Sequence, residues 1–200
     1  MSELVDGPAG ALELLVDGAE TRSSAVAVLC HPHPQYGGSA HDAVLGAAVE
    51  ALRARQAVCV RFNFRGVGRS EGHFDDGHGE RDDVLAVVRH VRARFGPKPL
   101  LLLGYSFGAL MAWRAAAEAA PDALFLIAPP VGHAPLDVAE APPCTVHIVA
   151  GALDEYAPEA ALRALHGALP APGVLTIVPG ADHVFGGCVD EVGRALLEAS

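Results

Sequence analysis

The run Leu100-Leu101-Leu102-Leu103-Gly104-Tyr105-Ser106-Phe107-Gly108 constrains the fold more than any other part of the chain. Four consecutive leucines read as a strand covered on both faces. Ala109-Leu110-Met111-Ala112-Trp113-Arg114-Ala115, directly after the second glycine, reads as a helix. No loop separates the two. A strand that enters a helix this abruptly must turn sharply, which pushes Ser106 into strained backbone with its hydroxyl exposed. Gly104 and Gly108 are needed on either side, because a β-carbon at either position would strike the adjacent strand or helix. The Gly-x-Ser-x-Gly pattern alone is a weak signal in a chain with 22 glycines; the flanking strand and helix give it weight.

The same alternation runs through the chain. Apolar runs predict strands at Ala11–Val16, Ala25–Cys30, Val58–Phe64, Leu100–Gly104, Ala123–Ala128, Thr145–Ala150 and Val174–Val178, with Glu3-Leu4-Val5 as a further edge strand before a Gly7–Gly10 turn. Between them, helices are predicted at His41–Arg55, Glu80–Phe95, Phe107–Ala119, Pro158–Ala168 and Val189–Ala199. Val84, Val87, Val88, Val91 and Phe95 show helical spacing in the second of these. Strands alternating with helices specify an α/β fold, a doubly wound, mostly parallel sheet of about seven to eight strands, formed by one domain over residues 1–200.

Charge and cysteine usage exclude several classes. The net charge of −10, with Lys98 the sole lysine, repels phosphate backbones, so no nucleic-acid partner is expected. Hydrophobic residues make up 51% of the chain, yet no apolar run approaches the ~18 residues of a membrane span. Residues 1–7 carry neither a basic nor an apolar leader region, so the expectation is a cytoplasmic protein without a membrane partner. Cys30, Cys59, Cys144 and Cys188 lack CxxC spacing and are expected to be reduced, the first three as small buried hydrophobes.

In open α/β sheets, chemistry gathers beyond the carboxyl ends of the strands. His31 to Ser39 follow one strand, Ser106 another, Gly151-Ala152-Leu153-Asp154-Glu155 a third and Pro179-Gly180-Ala181-Asp182-His183 a fourth. A serine hydroxyl needs a base to become nucleophilic, and the base needs an acid to orient it. Ser106, His183 and Asp154 supply these roles, in the chain order Ser…Asp…His.

With these residues in view, the chain resembles the α/β-hydrolases, and within them the small capless bacterial hydrolases related to dienelactone hydrolases. The resemblance is carried by Cys30-His31-Pro32-His33-Pro34 with Gly37-Gly38-Ser39, by Arg61 to Gly72, by Gly104 to Gly108, and by Gly151 to Asp154 and Gly180 to His183. It implies an α/β-hydrolase fold without a cap domain and a cofactor-free, metal-free serine hydrolase. Ser106 stands where dienelactone hydrolases have a cysteine, so their substrate does not carry over. The oxyanion hole is expected to use the N–H of Phe107 and a second donor from Gln35 or Tyr36, since Pro32 and Pro34 have no N–H.

Other readings compete at individual positions. Glu155 is the rival to Asp154 as the acid, whereas Asp182 reads as a turn former. His31 and His33 have the spacing of a metal pair but no third ligand, and read as pins for the oxyanion loop. Gly66-Val67-Gly68-Arg69-Ser70-Glu71-Gly72 lacks the spacing of a nucleotide loop and reads as a turn. Only a short Pro-rich segment, Pro129 to Cys144, separates two predicted strands, too little for a cap, so an open pocket for a small ester or thioester is expected. Peptidase or acyltransferase chemistry and a non-catalytic binding scaffold are the alternatives; the sequence does not specify an oligomeric state, and a weak homodimer through an edge strand or the exposed apolar rim is compatible with it.

Overall fold

Eight strands form one sheet in the computed structural model, which describes residues 2–18 and 23–199. Met1 of the N-terminal stretch read above lies outside them. The strands are β1 (Ser2–Gly7), β2 (Gly10–Asp17), β3 (Ala25–Cys30), β4 (Ala57–Phe62), β5 (Leu100–Tyr105), β6 (Ala123–Ile127), β7 (Thr145–Gly151) and β8 (Pro172–Val178). The helices are α1 (Ala43–Ala54), α2 (His78–Phe95), α3 (Phe107–Ala119), α4 (Glu159–Ala168) and α5 (Val189–Glu198). The sheet order is β1-β2-β4-β3-β5-β6-β7-β8. β1 and β2 form an antiparallel hairpin that joins β4 antiparallel, and all pairs from β4 to β8 are parallel.

Alternate residues of the central strands feed two cores. Val26, Val28 and Cys30 of β3 pack toward Val84, Val88 and Met111 on one face. Ala27 and Leu29 join Leu45, Leu52, Val192 and Leu196 on the other. Helices on both faces explain why these strands read as unbroken apolar runs. Each buried Leu or Val contributes about 1.5–3 kcal/mol, so most of the apolar stabilisation gathers at the sheet centre.

Several boundaries move for local reasons. β4 ends at Phe62, not Phe64: the Asn63 N–H still reaches the Glu13 carbonyl of β2 (2.9 Å), but the Phe64 N–H leaves the ladder for the His31 Nε2 side-chain atom (3.1 Å). α1 begins at Ala43 because the Asp42 carboxylate caps it, accepting from the Val44 N–H at 2.8 Å. α2 starts at His78, since the buried Glu80 reaches back to the N–H groups of Gly77 (2.8 Å) and Asp75 (2.9 Å). The edge strands are longer than read: β1 covers Ser2–Gly7 and β8 starts at Pro172.

Residues 66–72 form a compact turn, held by Val67 N–H to Phe64 O (3.0 Å) and Ser70 N–H to Val67 O (2.9 Å). The segment between β6 and β7 contains one short 3₁₀ turn, Val138–Glu140, and no cap. All four cysteines are free thiols, Cys188 the least buried. Among the described residues no helix is long and apolar enough to cross a membrane.

The chain runs from β3 to β4 on one side, then crosses to β5 on the other side of β3. This reversal between β3 and β5 opens a crevice at their carboxyl ends, where ligands bind in sheets of this kind. The loop after β3 and the turn carrying Ser106 both lie there.

Candidate active site

The turn at Ser106 has the geometry the glycines imply. Ser106 adopts φ 53°, ψ −117°, a strained conformation for a residue with a side chain. A β-carbon on Gly104 would lie 2.1 Å from the Gly108 carbonyl oxygen, and one on Gly108 would lie 2.2 Å from that of Cys30. The turn is locked by Ser106 N–H to Ile127 O (2.9 Å) and Ala109 N–H to Ser106 O (2.9 Å).

The side chains of Ser106, His183 and Asp154 are joined in series. The Ser106 hydroxyl donates to His183 Nε2 at 2.8 Å. His183 Nδ1–H donates to Asp154 Oδ2 at 2.8 Å, with Oδ1 at 3.0 Å. Asp154 is buried, and its Oδ1 also accepts from the N–H groups of Tyr156 (2.8 Å) and Ala157 (3.0 Å), which fixes the carboxylate plane. Glu155, one residue on, is exposed. Asp182 closes its own turn, accepting from Val184 N–H (3.2 Å) and Gly186 N–H (3.0 Å). The acid and histidine loops cross where a β-carbon on Gly151 would sit 2.2 Å from the Ala181 carbonyl oxygen. Such an arrangement can deprotonate a hydroxyl, hold the resulting imidazolium, and return the proton to a leaving group.

The loop after β3 departs from expectation. Gln35 N–H donates to His33 Nδ1 (3.2 Å) and Tyr36 N–H to His33 O (3.1 Å). Gly37 and Gly38 are likewise engaged, with Pro34 O and His33 O. Gln35 and Tyr36 therefore hold their own tight turn and have no N–H left for a substrate oxygen; this corrects the reading of either as the second donor. Of the loop residues lining the cleft, His33 alone has an N–H without an acceptor among the described residues. Tyr36 contributes its ring to the cleft wall instead. Phe107 begins α3, where an N–H has no intrahelical acceptor, so it is available beside Ser106.

His31 is fully buried, with Nδ1–H donating to Pro32 O (2.6 Å) and Nε2 accepting from Phe64 N–H. Burial pushes its pKa down to about 4, so it is a neutral pin with no lone pair left for a metal. The His33 ring packs against Phe107 (4.8 Å), Tyr36 (4.6 Å) and Phe74 (5.0 Å). No group of three or more His, Cys, Asp or Glu side chains suited to a metal ion occurs among the described residues.

The cleft over Ser106 measures about 580 Å³ and is walled by Tyr36, Phe107, Leu110, Pro130, Tyr156 and Val184. Three residues here were not singled out from sequence. Tyr105, between the first glycine and Ser106, donates its hydroxyl to the His183 carbonyl oxygen (3.0 Å). Tyr156 lies against the His183 ring at 4.7 Å. Asp42 lines the cleft beyond the short 3₁₀ turn Pro34–Tyr36. Its legible signal, an Asp directly before an apolar-periodic run, announces a helix cap but not a cleft.

A sheet of this order, a serine on a glycine-flanked turn and the serine–histidine–aspartate series define an α/β serine hydrolase. The chain belongs to the family described as serine aminopeptidase, S33, which matches residues 21–183. It is similar to the solved structure of an α/β serine hydrolase homologue from Coxiella burnetii, with 32% identity over 99% of this chain and 96% of that one, TM-score 0.92. It is also similar to an α/β serine hydrolase without lid from Xanthomonas campestris, with 37% identity over 100% of this chain and 92% of that one, TM-score 0.90. An uncharacterised protein of Rickettsia prowazekii is 35% identical over 128 residues, 63% of this chain and 54% of its own length, so this chain spans about half of that relative.

Proposed function

We propose that this chain cleaves small carboxylic esters, thioesters included, through an acyl-enzyme on Ser106. The observation that carries the reading is the unbroken series from Ser106 Oγ to His183 Nε2 (2.8 Å) and from His183 Nδ1 to Asp154 (2.8 Å). As Ser106 Oγ attacks the carbonyl carbon, its proton passes to His183 Nε2. The negative oxygen is held by the N–H groups of Phe107 and His33, and Asp154 stabilises the imidazolium. Collapse expels the alcohol or thiol, which takes the proton from His183. Water then enters and gives a proton to His183 Nε2 as its oxygen bonds the acyl carbon; the bond to Ser106 Oγ breaks, Oγ takes the proton back from His183, and the acid leaves.

The uncapped cleft of about 580 Å³ supports a small substrate over a long acyl chain. Amide cleavage, the activity in the family's description, uses the same groups and differs in the leaving nitrogen.

A fluorophosphonate probe tests the reading: stoichiometric labelling at Ser106, none in Ser106→Ala, and strong reduction in His183→Ala are expected. Folded protein that resists labelling at neutral pH is a binding scaffold instead. Matched p-nitrophenyl acetate, phenyl thioacetate and alanine p-nitroanilide then rank ester, thioester and amide.

A further inference from the structure

The charge and surface of the cleft are lopsided. Its lining contains no Lys or Arg, and outside the histidines its one ionisable acid is Asp42. Asp42 Oδ1 caps α1, accepting from Val44 N–H (2.8 Å) and Leu45 N–H (3.4 Å). Oδ2 makes no hydrogen bond or ion pair among the described residues, and the residue is only partly buried, so this oxygen faces open cleft. Burial raises the carboxyl's pKa against the opposing effect of the two capping N–H groups, as for an anion lacking a counter-charge. Tyr36, Phe107 and Tyr156 wall the same cleft, and aromatic rings attract cations through their π faces. Burial raises the pKa of the Tyr105 hydroxyl, with the negative charges of Asp42, Asp154 and Asp182 acting in the same direction. The whole chain, at −10, steers cations inward and turns anions away.

We infer that the cleft is built for substrates bearing an ammonium group, with Asp42 Oδ2 as its ionic partner and the aromatic walls as its surroundings. This rests on the acyl-enzyme reading for turnover, and assigns Asp42 to binding specificity, away from the reacting atoms. Neutral esters of the same shape are poorer substrates, and esters bearing a carboxylate poorer still.

The test titrates hexylammonium, 1-hexanol and hexanoate into isotopically labelled protein at neutral pH and low salt, following amide shifts in the first turn of α1. Hexylammonium is expected to bind about tenfold or more tighter than hexanol, with hexanoate weakest. In Asp42→Asn that advantage falls below about threefold; Asn caps a helix as well as Asp, and Asp42→Ser supplies a second cap-preserving variant. Equal affinities in the wild type, or an ammonium advantage that persists in both variants, overturn the inference. For turnover, acetylthiocholine is compared with its uncharged isostere 3,3-dimethylbutyl thioacetate. The kcat/KM ratio is expected at about ten or more in the wild type and under about three in Asp42→Asn; a wild-type ratio near one overturns it. Failure of Ser106 to react with a fluorophosphonate strikes the acyl-enzyme reading alone, and the titration still decides the cation site.

Discussion

The hydroxyl of Tyr105 donates to the main-chain oxygen of His183 at 3.0 Å, tying the residue before Ser106 to the loop that carries His183. Tyr105 is almost wholly buried in the core cluster that includes Phe185, whose positive φ of 54° shapes the same loop. His183, the proposed base, is thus positioned from the strand below it as well as from Asp154. Tyr105→Phe keeps the ring and removes the bond, at a stability cost of about 1 kcal/mol. Because a small misplacement of reacting groups is expensive, kcat should fall about tenfold with KM little changed. Ester hydrolysis and the rate of fluorophosphonate labelling check this; a variant that melts lower but labels at the wild-type rate would show Tyr105 to be structural only.

Geometry favours Asp154 over its neighbour as the acid of the proposed mechanism. Asp154 is buried, faces His183 Nδ1 and accepts two further N–H bonds, whereas Glu155 is exposed. Asp154→Asn removes the charge that stabilises the imidazolium and presents a donor to Nδ1–H, so kcat should drop about 10³–10⁴-fold. Glu155→Gln should stay within about twofold, as surface changes do. Steady-state ester hydrolysis by the two purified variants decides between them, and the reverse order would reassign the acid.

Much of this was legible because each part is a local pattern with a local cause. The leucine run, the paired glycines and the following helix specify the turn at Ser106, and the order of Asp154 and His183 after later strands supplies its partners. What escaped reading depends on which groups a loop engages with itself. The donor expected at Gln35 or Tyr36 failed because the His33 ring and carbonyl take up both N–H groups, a closure that needs Gly38 to pass 2.1 Å (as a notional β-carbon) from Pro32 O. Asp42 was equally hidden: a helix-capping aspartate looks the same in sequence whether its second oxygen faces bulk water or a substrate cleft.

Gly108 is where sequence logic and packing meet most tightly. A methyl group there would press on the carbonyl oxygens of Cys30 and His31, at 2.2 and 2.6 Å, and backbone in the sheet centre cannot move aside. Overpacking of this kind costs about 3 kcal/mol, which lowers the melting temperature of a domain this size by about 6–12 °C. Gly108→Ala should therefore be detectably less stable by thermal melting and also displace the Phe107 N–H, with loss of labelling. Gly167→Ala, with open space around it on α4, serves as the matched control and should melt at or above the wild-type temperature.

His31 makes stability depend on pH in a defined window. Its folded pKa lies at about 4 because it is buried with both nitrogens engaged, against 6.5 for the free side chain. Between those values the unfolded chain binds the proton and the folded one does not, so stability falls as pH drops from 6.5 toward 4, and is complete above 6.5. The full contribution is up to about 3 kcal/mol, at 1.36 kcal/mol per pKa unit. Burial also lowers the pKa of His33 and His147, which add to the same slope in any variant that retains them. The comparison is therefore between the wild type and His31→Gln, which can still donate and accept but cannot titrate. Urea midpoints at pH 7, 5.5 and 4.5 should fall more steeply for the wild type, with the two curves converging at the acidic end. Parallel curves would mean that His31 carries its proton in the folded protein, and that the Phe64 N–H is held by something else.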